Sequence, residues 1–493
     1  MSIRKSISSC EMNSQIKHKA IHGMAWTGIG RFVSLGVQFL TGLIIARLLM
    51  PSDYGIIGML AVFMAISYAF LDSGFASALI RKKNCTDLDY STVFWFDIFI
   101  SLTLYLLIYV SASFIAEFYH MPILSDVARV VSLTLIIDGL FVVQTAKLNI
   151  DLNFKLQSVS VLASSLISGA VGITLAYLQF GVWALVYQDL IAVFVRMVII
   201  WNGSRWRPMF VFSKQSFITL FSFGSKLLGS SLISTIYQNL YTLLIGKFFT
   251  PSDVGYYNRG NHFAIFSSQI CTEMLLKVNY PILSKLQDDH ERLLDAYTKL
   301  YRIPMFLYFP LMFGLSALAY PLIDFLLGEK WLLSVPILQI LVFAFMWTPL
   351  TRLTLTLLNV KGRSDLVLKA EIITKIISFI ILFISIPFGI LWMCVGYAVS
   401  LIITFVINCY YTKRFLGYGF YRHLRELLPI LINAVVMCIV IRCCIGFIDG
   451  ACLQLTCGVL VGILSYVGFA FLIKDKSLVS LMDIVRQRKE RWS

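Results

Sequence analysis

Residues 46–55 read ARLLMPSDYG and residues 246–255 read GKFFTPSDVG. The two decapeptides share Pro, Ser, Asp and Gly at the same positions, and the agreement continues backward into the preceding apolar stretch. The matching pairs are Ser34/Ser234, Gln38/Gln238, Leu40/Leu240, Pro51/Pro251, Ser52/Ser252, Asp53/Asp253 and Gly55/Gly255. Because all of them fall in one ungapped register, the sequence indicates an internal duplication.

The shared P-S-D-x-G motif has the chemistry of a tight turn between two helices. Pro ends one helix, Ser or Asp caps the next, and Gly relaxes the backbone of the turn. The motif therefore predicts an outer hairpin in each copy, and a structural turn is favoured over a ligand site. The residues that form the two hairpins are Pro51, Asp53 and Gly55, and Pro251, Asp253 and Gly255.

Composition places these hairpins in a membrane protein. Hydrophobic residues make up 58% of the 493 residues and charged residues only 14%, against roughly 25% in an ordinary soluble domain. A spanning helix needs about 20 apolar residues, so the chain could furnish about 14 helices and has no room for a sizeable aqueous domain. The composition predicts an all-α polytopic membrane protein and excludes a soluble enzyme.

The apolar stretches and the loop charges predict a topology. With both termini in the cytoplasm, the cytoplasmic segments and the adjoining span ends carry 29 Lys and Arg residues, and the outer side carries at most 3. Cytoplasmic loops are the ones enriched in Lys and Arg, so this orientation is the expected one. The 14 predicted spans are 26–49, 55–77, 93–115, 127–147, 158–178, 182–202, 218–249, 258–282, 303–327, 335–359, 368–388, 390–412, 427–448 and 453–473.

The net charge of +15 fits the same topology. Basic residues at the cytoplasmic surface are attracted to anionic lipid head groups, so this charge is expected to set the orientation and to contact membrane lipids. A nucleic-acid partner is not expected.

The duplication predicts two lobes. It pairs span 1 with span 7, and a shift of six helices preserves the direction of crossing, so the lobes form a parallel repeat about an axis along the membrane normal. The predicted organisation is a cytoplasmic N-terminal segment 1–25, an N-lobe 26–202, a cytoplasmic linker 203–217, a C-lobe 218–412 with an amphipathic cytoplasmic loop 285–302, a cytoplasmic loop 413–426, spans 13 and 14 within 427–473, and a basic cytoplasmic segment 474–493.

Polar side chains line equivalent helices of the two lobes. Ionisable residues inside a span usually face protein or a water-filled cavity, and a shared central cavity is the simplest place for these. Its excess of cations suits an anionic substrate. The alternative is that the groups satisfy one another between packed helices, as Glu273 and Lys277 could at i, i+4. The predicted substrate-binding residues are Arg31, Gln38, Lys226, Gln238, Arg259 and Lys277.

Carboxylates within spans are candidates for ion coupling, because a deep carboxylate can carry a proton or a sodium ion. Asp138, Glu273 and Glu371 are the residues considered for that role. The sequence shows no metal-ligand spacing, nucleotide loop or nucleophile elbow. No metal, no catalytic residue and no cofactor other than H⁺ or Na⁺ is expected.

The stretches IIARLLMPSDYGIIGM (44–59) and FLDSGFASALIRKK (70–83) resemble the MOP exporter superfamily, and within it the polysaccharide-transporter branch of Wzx-type O-antigen flippases and colanic-acid exporters. The resemblance implies a MOP/MATE-like pair of six-helix lobes with alternating access, followed by two C-terminal helices. It also implies a flippase of the bacterial inner membrane that moves undecaprenyl-diphosphate-linked oligosaccharide for O-antigen, capsule or exopolysaccharide assembly.

The implied partners are the lipid-linked oligosaccharide, the polysaccharide polymerase and the chain-length machinery, with the chain acting as a monomer. Three other functions stay open at this point: an ion-coupled multidrug-type antiporter, a peptidoglycan lipid-precursor flippase and a membrane enzyme such as an O-antigen polymerase. The two extra C-terminal spans argue against the antiporter, and the short outer loops argue against the enzyme.

Overall fold

A computed structural model describes residues 28, 30, 32–71, 74–82, 85–479 and 482, apart from the side chains of residues 223, 226 and 227. The described chain is helical and contains no strand. It divides into two compact units, with the boundary between Gly255 and Tyr256.

Among its described residues, the first unit contains ten helices besides the start of an eleventh. They are α1 (Phe32–Leu48), α2 (Pro51–Leu71), α3 (Phe75–Arg81), α4 (Asp87–Phe118), α5 (Ile123–Val131), α6 (Leu133–Gly139), α7 (Val142–Ile150), α8 (Phe154–Tyr177), α9 (Val182–Gly203) and α10 (Lys214–Phe248).

The second unit contains most of α11 (Pro251–Lys285), which begins in the first unit, and eight further helices. They are α12 (His290–Ala317), α13 (Ala319–Leu327), α14 (Ser334–Phe345), α15 (Thr348–Val360), α16 (Ser364–Ser385), α17 (Ile390–Leu416), α18 (Phe420–Ile445) and α19 (Ala451–Leu472). Two short 3₁₀ turns, Glu329–Trp331 and Ile386–Phe388, lie in connections.

Within the described residues, nine helical segments are long and apolar enough to cross a membrane, and α1 is a shorter apolar helix. The chain is therefore a multi-pass membrane protein. Three of the predicted spans coincide with α10, α11 and α16, which carry more polar residues than those nine segments. A fourth, 127–147, is divided among α5, α6 and α7. The count of 14 spans remains a prediction.

The division into units differs from the predicted lobe boundary at 203–217. That segment contains the irregular connection between α9 and α10, but α10 packs against α2 inside the first unit. At the contact, a Cβ atom on Gly246 would lie 2.9 Å from the Tyr119 ring and 3.0 Å from the Met59 side chain. Only a residue without a side chain lets the helix approach so closely.

Glycines also bring α8 against α1 in the first unit. A Cβ atom at Gly169 would lie 2.5 Å from Thr41, and one at Gly172 would lie 2.9 Å from Ile45. Small residues at a helix interface let two membrane helices pack closely. This contact fixes the face of α1 that carries Gln38.

Residues 290–302 form the first part of α12 in the second unit. An amphipathic cytoplasmic loop over 285–302, as the sequence predicts, would place its apolar face against the membrane surface. Instead, its apolar residues Leu293, Tyr297 and Tyr301 are buried, and α12 packs against α18. The apolar face of the segment is therefore covered by protein.

A polar network closes the predicted cytoplasmic end of this α12–α18 contact. The Tyr297 hydroxyl and His423 Nε2 are 3.0 Å apart, and the hydroxyls of Tyr301 and Tyr418 are 2.8 Å apart. Tyr418 lies in the connection between α17 and α18, where burial raises the pKa of its hydroxyl. Beside this network, the largely buried Arg302 forms ion pairs with Glu426 of α18 and with a carboxylate after α19.

Candidate functional site

The repeated hairpins are shaped by their aspartates. Pro51 and Pro251 are the first residues of α2 and α11, a position that proline favours because it needs no amide hydrogen there. Asp53 Oδ2 accepts a hydrogen bond from the backbone N–H of Met50 at 2.9 Å. Asp53 thus satisfies a free backbone N–H at the start of α2, as the third residue of a helix does in a capping box.

The second hairpin carries two more side-chain hydrogen bonds than the first. Asp253 Oδ2 accepts from the Thr250 backbone N–H at 3.0 Å and from the Thr250 hydroxyl at 2.8 Å. The Thr250 hydroxyl in turn accepts from the Asp253 N–H at 3.2 Å. Met50 is the residue that corresponds to Thr250 in the first copy. Because methionine has no hydroxyl, it cannot form the two additional hydrogen bonds.

The two hairpins contact each other through their glycines. A Cβ atom on Gly55 would lie 1.7 Å from the Pro251 carbonyl oxygen, and one on Gly255 would lie 2.1 Å from the Pro51 carbonyl oxygen. All four residues belong to the first compact unit. The contact is reciprocal, as expected where two copies of one motif meet about a local twofold axis.

The repeated glutamines make different contacts. Gln38 Nε2 on α1 donates to Ser165 Oγ on α8 at 2.9 Å, so it bridges two helices. Gln238 Nε2 on α10 donates to Ser234 Oγ of its own helix at 3.0 Å. Both glutamines belong to the first unit and are exposed there.

The predicted cations occupy different surroundings. Arg31 and the side chain of Lys226 lie outside the described residues. The Arg259 guanidinium lies 5.6 Å from the centre of the buried Trp331 ring, a cation–π geometry. Lys277 is exposed on α11.

Glu273 and Lys277 do not pair. They are four residues apart on α11 and both are exposed, yet no ion pair joins them among the ion pairs of the described residues. The side chains therefore present separate charges along one helix.

Asp138 of α6 belongs to a polar cluster of the first unit. Its carboxylate interacts with the Tyr68 hydroxyl of α2 and with the Arg196 guanidinium of α9. Tyr68 also donates a hydrogen bond to Thr134 Oγ1 at 2.9 Å. Sequence reasoning found Asp138 but not Tyr68, because one tyrosine among 23 carries no signal of its partner.

Glu371 of α16 lies in a charged cluster of the second unit. Lys375, one turn further along the helix, interacts electrostatically with Glu371 and with Arg352 of α15. All three side chains are exposed. The structure thus brings Glu371 and Asp138 each beside cationic groups, but in different units.

No group of three or more His, Cys, Asp or Glu side chains in the described part of the chain is arranged to hold a metal ion.

The sequence matches known proteins over most of its length. Residues 44–336 match the model of a family described as "Polysaccharide biosynthesis protein", and this region includes both hairpins. The chain is also 26% identical over 474 residues to the succinoglycan biosynthesis transport protein ExoT of Rhizobium meliloti (strain 1021). That alignment covers 95% of this chain and 96% of the relative.

Two solved structures share the fold. The lipid II flippase MurJ in an inward closed conformation superposes with a TM-score of 0.73 at 17% identity, covering 91% of this chain and 99% of that chain. An inward-facing multidrug resistance MATE family transporter of the MOP superfamily superposes with a TM-score of 0.58 at 15% identity, covering 78% and 98%. The fold is therefore that of the MOP transporters.

Proposed function

The chain belongs to the polysaccharide biosynthesis protein family, and we propose that it moves undecaprenyl-diphosphate-linked oligosaccharide from the cytoplasmic to the outer leaflet of a bacterial plasma membrane. The observation that carries the proposal is the match, over 95% of this chain, to a protein named for transport in succinoglycan biosynthesis. The fold shared with a lipid II flippase agrees with a lipid-linked substrate.

The diphosphate is the part of this substrate that the cations recognise. Arg and Lys give phosphate oxygens charge-assisted hydrogen bonds, so we assign Arg31, Lys226, Arg259 and Lys277 to the head group. The two glutamines Gln38 of α1 and Gln238 of α10 supply neutral donors. The absence of a pair between Glu273 and Lys277 supports this assignment over internal pairing.

Coupling to an ion gradient is assigned to the carboxylates. Asp138 beside Tyr68 and Arg196, and Glu371 beside Lys375 and Arg352, can each exchange a neighbouring cation for H⁺ or Na⁺. Glu273 has no ion-pair partner among the described side chains and is the third candidate. The proposal places both termini in the cytoplasm, a monomer in the inner membrane, and the polymerase and chain-length machinery downstream.

Substitution of the proposed head-group cations tests the function. In a strain that lacks its own copy of the gene, Arg31→Ala and Arg259→Ala are expected to leave the protein in the membrane and lower surface polysaccharide about tenfold, because a hydrogen bond to a charged group contributes about 1.5–3 kcal/mol. Immunoblots of membranes and quantification of surface polysaccharide provide the two readouts.

Arg292→Ala is the matched control, since Arg292 is 79% exposed in the predicted cytoplasmic segment 285–302 and forms an ion pair only with nearby Asp289 among the described residues. It should keep wild-type polysaccharide. Wild-type levels in both Arg31→Ala and Arg259→Ala would remove these residues from the site.

The same strain separates the other transport functions. A multidrug-type antiporter would change drug susceptibility and leave surface polysaccharide intact when the gene is deleted. A peptidoglycan lipid-precursor flippase would halt cell-wall synthesis on depletion. The proposed function predicts instead that deletion abolishes surface polysaccharide and traps its lipid-linked precursor in the inner leaflet.

A further inference from the structure

A polar cleft of about 730 Å³ opens on the first unit, where α4 and α8 begin and α7 and α9 end. These four helix ends share the predicted cytoplasmic side. Ligand sites commonly have volumes of about 300–1,000 Å³, so the cleft is large enough for a small-molecule group. Its charged and amide lining residues are Asp87, Lys147, Asp151, Asn153, Arg205 and Arg207.

The charges in the cleft do not neutralise each other. Its three cations and two carboxylates form no ion pair with one another among the described residues. Arg205 and Asp151 are exposed. The cleft therefore offers ionic donors and ionic acceptors side by side.

An aromatic wall holds part of this lining in place. Trp206 is buried and its Nε1–H donates to Asp87 Oδ1 at 3.1 Å. Lys147 Nζ lies 5.2 Å from the centre of the Tyr90 ring and 5.9 Å from that of Trp206. The lining is thus partly ordered before any ligand arrives, which lowers the entropy lost on binding.

This mixture of groups suits a saccharide better than a phosphate. Each sugar hydroxyl both donates and accepts hydrogen bonds, so it can use a carboxylate and a guanidinium together. The oxygens of an ionised phosphate act as hydrogen-bond acceptors and not as donors. Their negative charge would also be repelled by the carboxylates Asp87 and Asp151.

An apolar segment adjoins the cleft. Residues 209–212 read MFVF, and all four side chains are exposed, Phe210 by 91%. Met209 lines the cleft, and its carbonyl accepts a hydrogen bond from Trp95 Nε1 at 2.8 Å. Exposed apolar residues beside a polar cleft at the end of membrane helices fit the interface between head groups and acyl chains.

We infer that this cleft binds the saccharide head of the lipid-linked substrate in the cytoplasmic leaflet, with the polyprenyl chain beside residues 209–212, before the substrate enters the transport pathway. This inference rests on the proposed function. Binding of an amphiphile explains why polar and apolar surfaces meet here, which a free sugar would not require.

The test compares two lipids in nanodiscs that contain the full-length protein. One probe is undecaprenyl diphosphate carrying N-acetylglucosamine, and the other is undecaprenyl diphosphate without sugar. The double variant Asp151→Asn/Arg205→Gln removes one acceptor charge and one donor charge at exposed positions. It should weaken binding of the sugar-bearing lipid about tenfold and leave binding of the sugar-free lipid unchanged. Lys214→Gln is the control, because Lys214 is exposed nearby and does not line the cleft.

The outcomes separate this inference from the function on which it rests. An equal loss for both lipids would identify a phosphate or anionic-lipid site and overturn saccharide recognition. Unchanged binding of both lipids by the double variant would show that the cleft is only solvated surface. A wild-type protein that binds neither lipid would instead refute the proposed function.

Discussion

The two copies of the hairpin share the turn and differ in the polar contacts around it. Asp53 and Asp253 cap α2 and α11 in the same way, and Gly55 and Gly255 meet the opposite proline carbonyl. In the helices that precede the hairpins, Gln38 of α1 donates a hydrogen bond to Ser165 of α8. Gln238 of α10 donates instead to a serine of its own helix.

This difference between the two copies shows which contacts of a duplicated segment depend on local backbone geometry. A cap and a close glycine contact depend on local conformation, so both copies keep them. A contact between helices depends on what packs alongside, and Ser165 is available only to the first copy. Identity in sequence therefore predicts the turn better than it predicts the contacts of the preceding helix.

Filling the glycine contact should have the largest effect. Gly55→Ala and Gly255→Ala each place a methyl group within 2.1 Å or less of a proline carbonyl oxygen, so the hairpins must separate. We expect each to lower stability by about 1–3 kcal/mol and to reduce surface polysaccharide, as measured by thermal unfolding of the purified protein and by complementation.

Gly42→Ala on α1 is the control, because a Cβ atom there meets nothing within 4 Å. Alanine favours the helix over glycine by up to about 1 kcal/mol, so this variant should unfold at the wild-type temperature or above it. A decrease equal to that of Gly55→Ala would show that the contact between the hairpins is not the cause.

Removing the aspartate caps should have an intermediate effect and should distinguish the copies. Asp53→Ala and Asp253→Ala are each expected to destabilise by about 1 kcal/mol. Asp253→Ala should cost more, since it also loses the bond from the Thr250 hydroxyl. Thermal midpoints of both variants and of Thr250→Val test the order, and equal midpoints for the two aspartate variants would contradict it.

The glutamines should give the smallest effect. A double-mutant cycle of Gln38→Leu with Ser165→Ala is expected to show a coupling of about 0.5–1 kcal/mol, because it breaks one hydrogen bond between helices. The matched cycle of Gln238→Leu with Ser234→Ala should show less coupling, since that bond is exposed. The comparison fails if the second coupling energy exceeds the first.

The sequence predicted features that depend on local chemistry or composition. The hairpins at Pro51 and Pro251 follow from their motif, and the helical membrane fold and the family follow from apolar stretches and recognisable segments. The sequence also predicts that 285–302 is amphipathic, with its apolar residues in a stripe along one face. It could not show that α18 covers the stripe, because an apolar face looks the same in sequence whether lipid or protein covers it.

Contacts between segments that are far apart along the chain could not be predicted from the sequence. Asp138 meets Tyr68 and Arg196, which come from three different helices, and nothing in their spacing joins them. The break of the predicted span 127–147 at Gly139 has a similar origin. A Cβ atom there would lie 2.6 Å from the Ser101 hydroxyl of α4, so packing against a neighbouring helix accounts for the glycine.

The ion pairs of Arg302 have a consequence for biosynthesis. This guanidinium is 11% exposed and shares its charge between Glu426 and Asp475, while its Nε–H donates to Ser477. Asp475 and Ser477 emerge from the ribosome more than 170 residues after Arg302. After Glu426 has been made and until Asp475 follows, Arg302 has only one of its two carboxylates, so the second unit reaches its final stability only once residues 475–477 have been made.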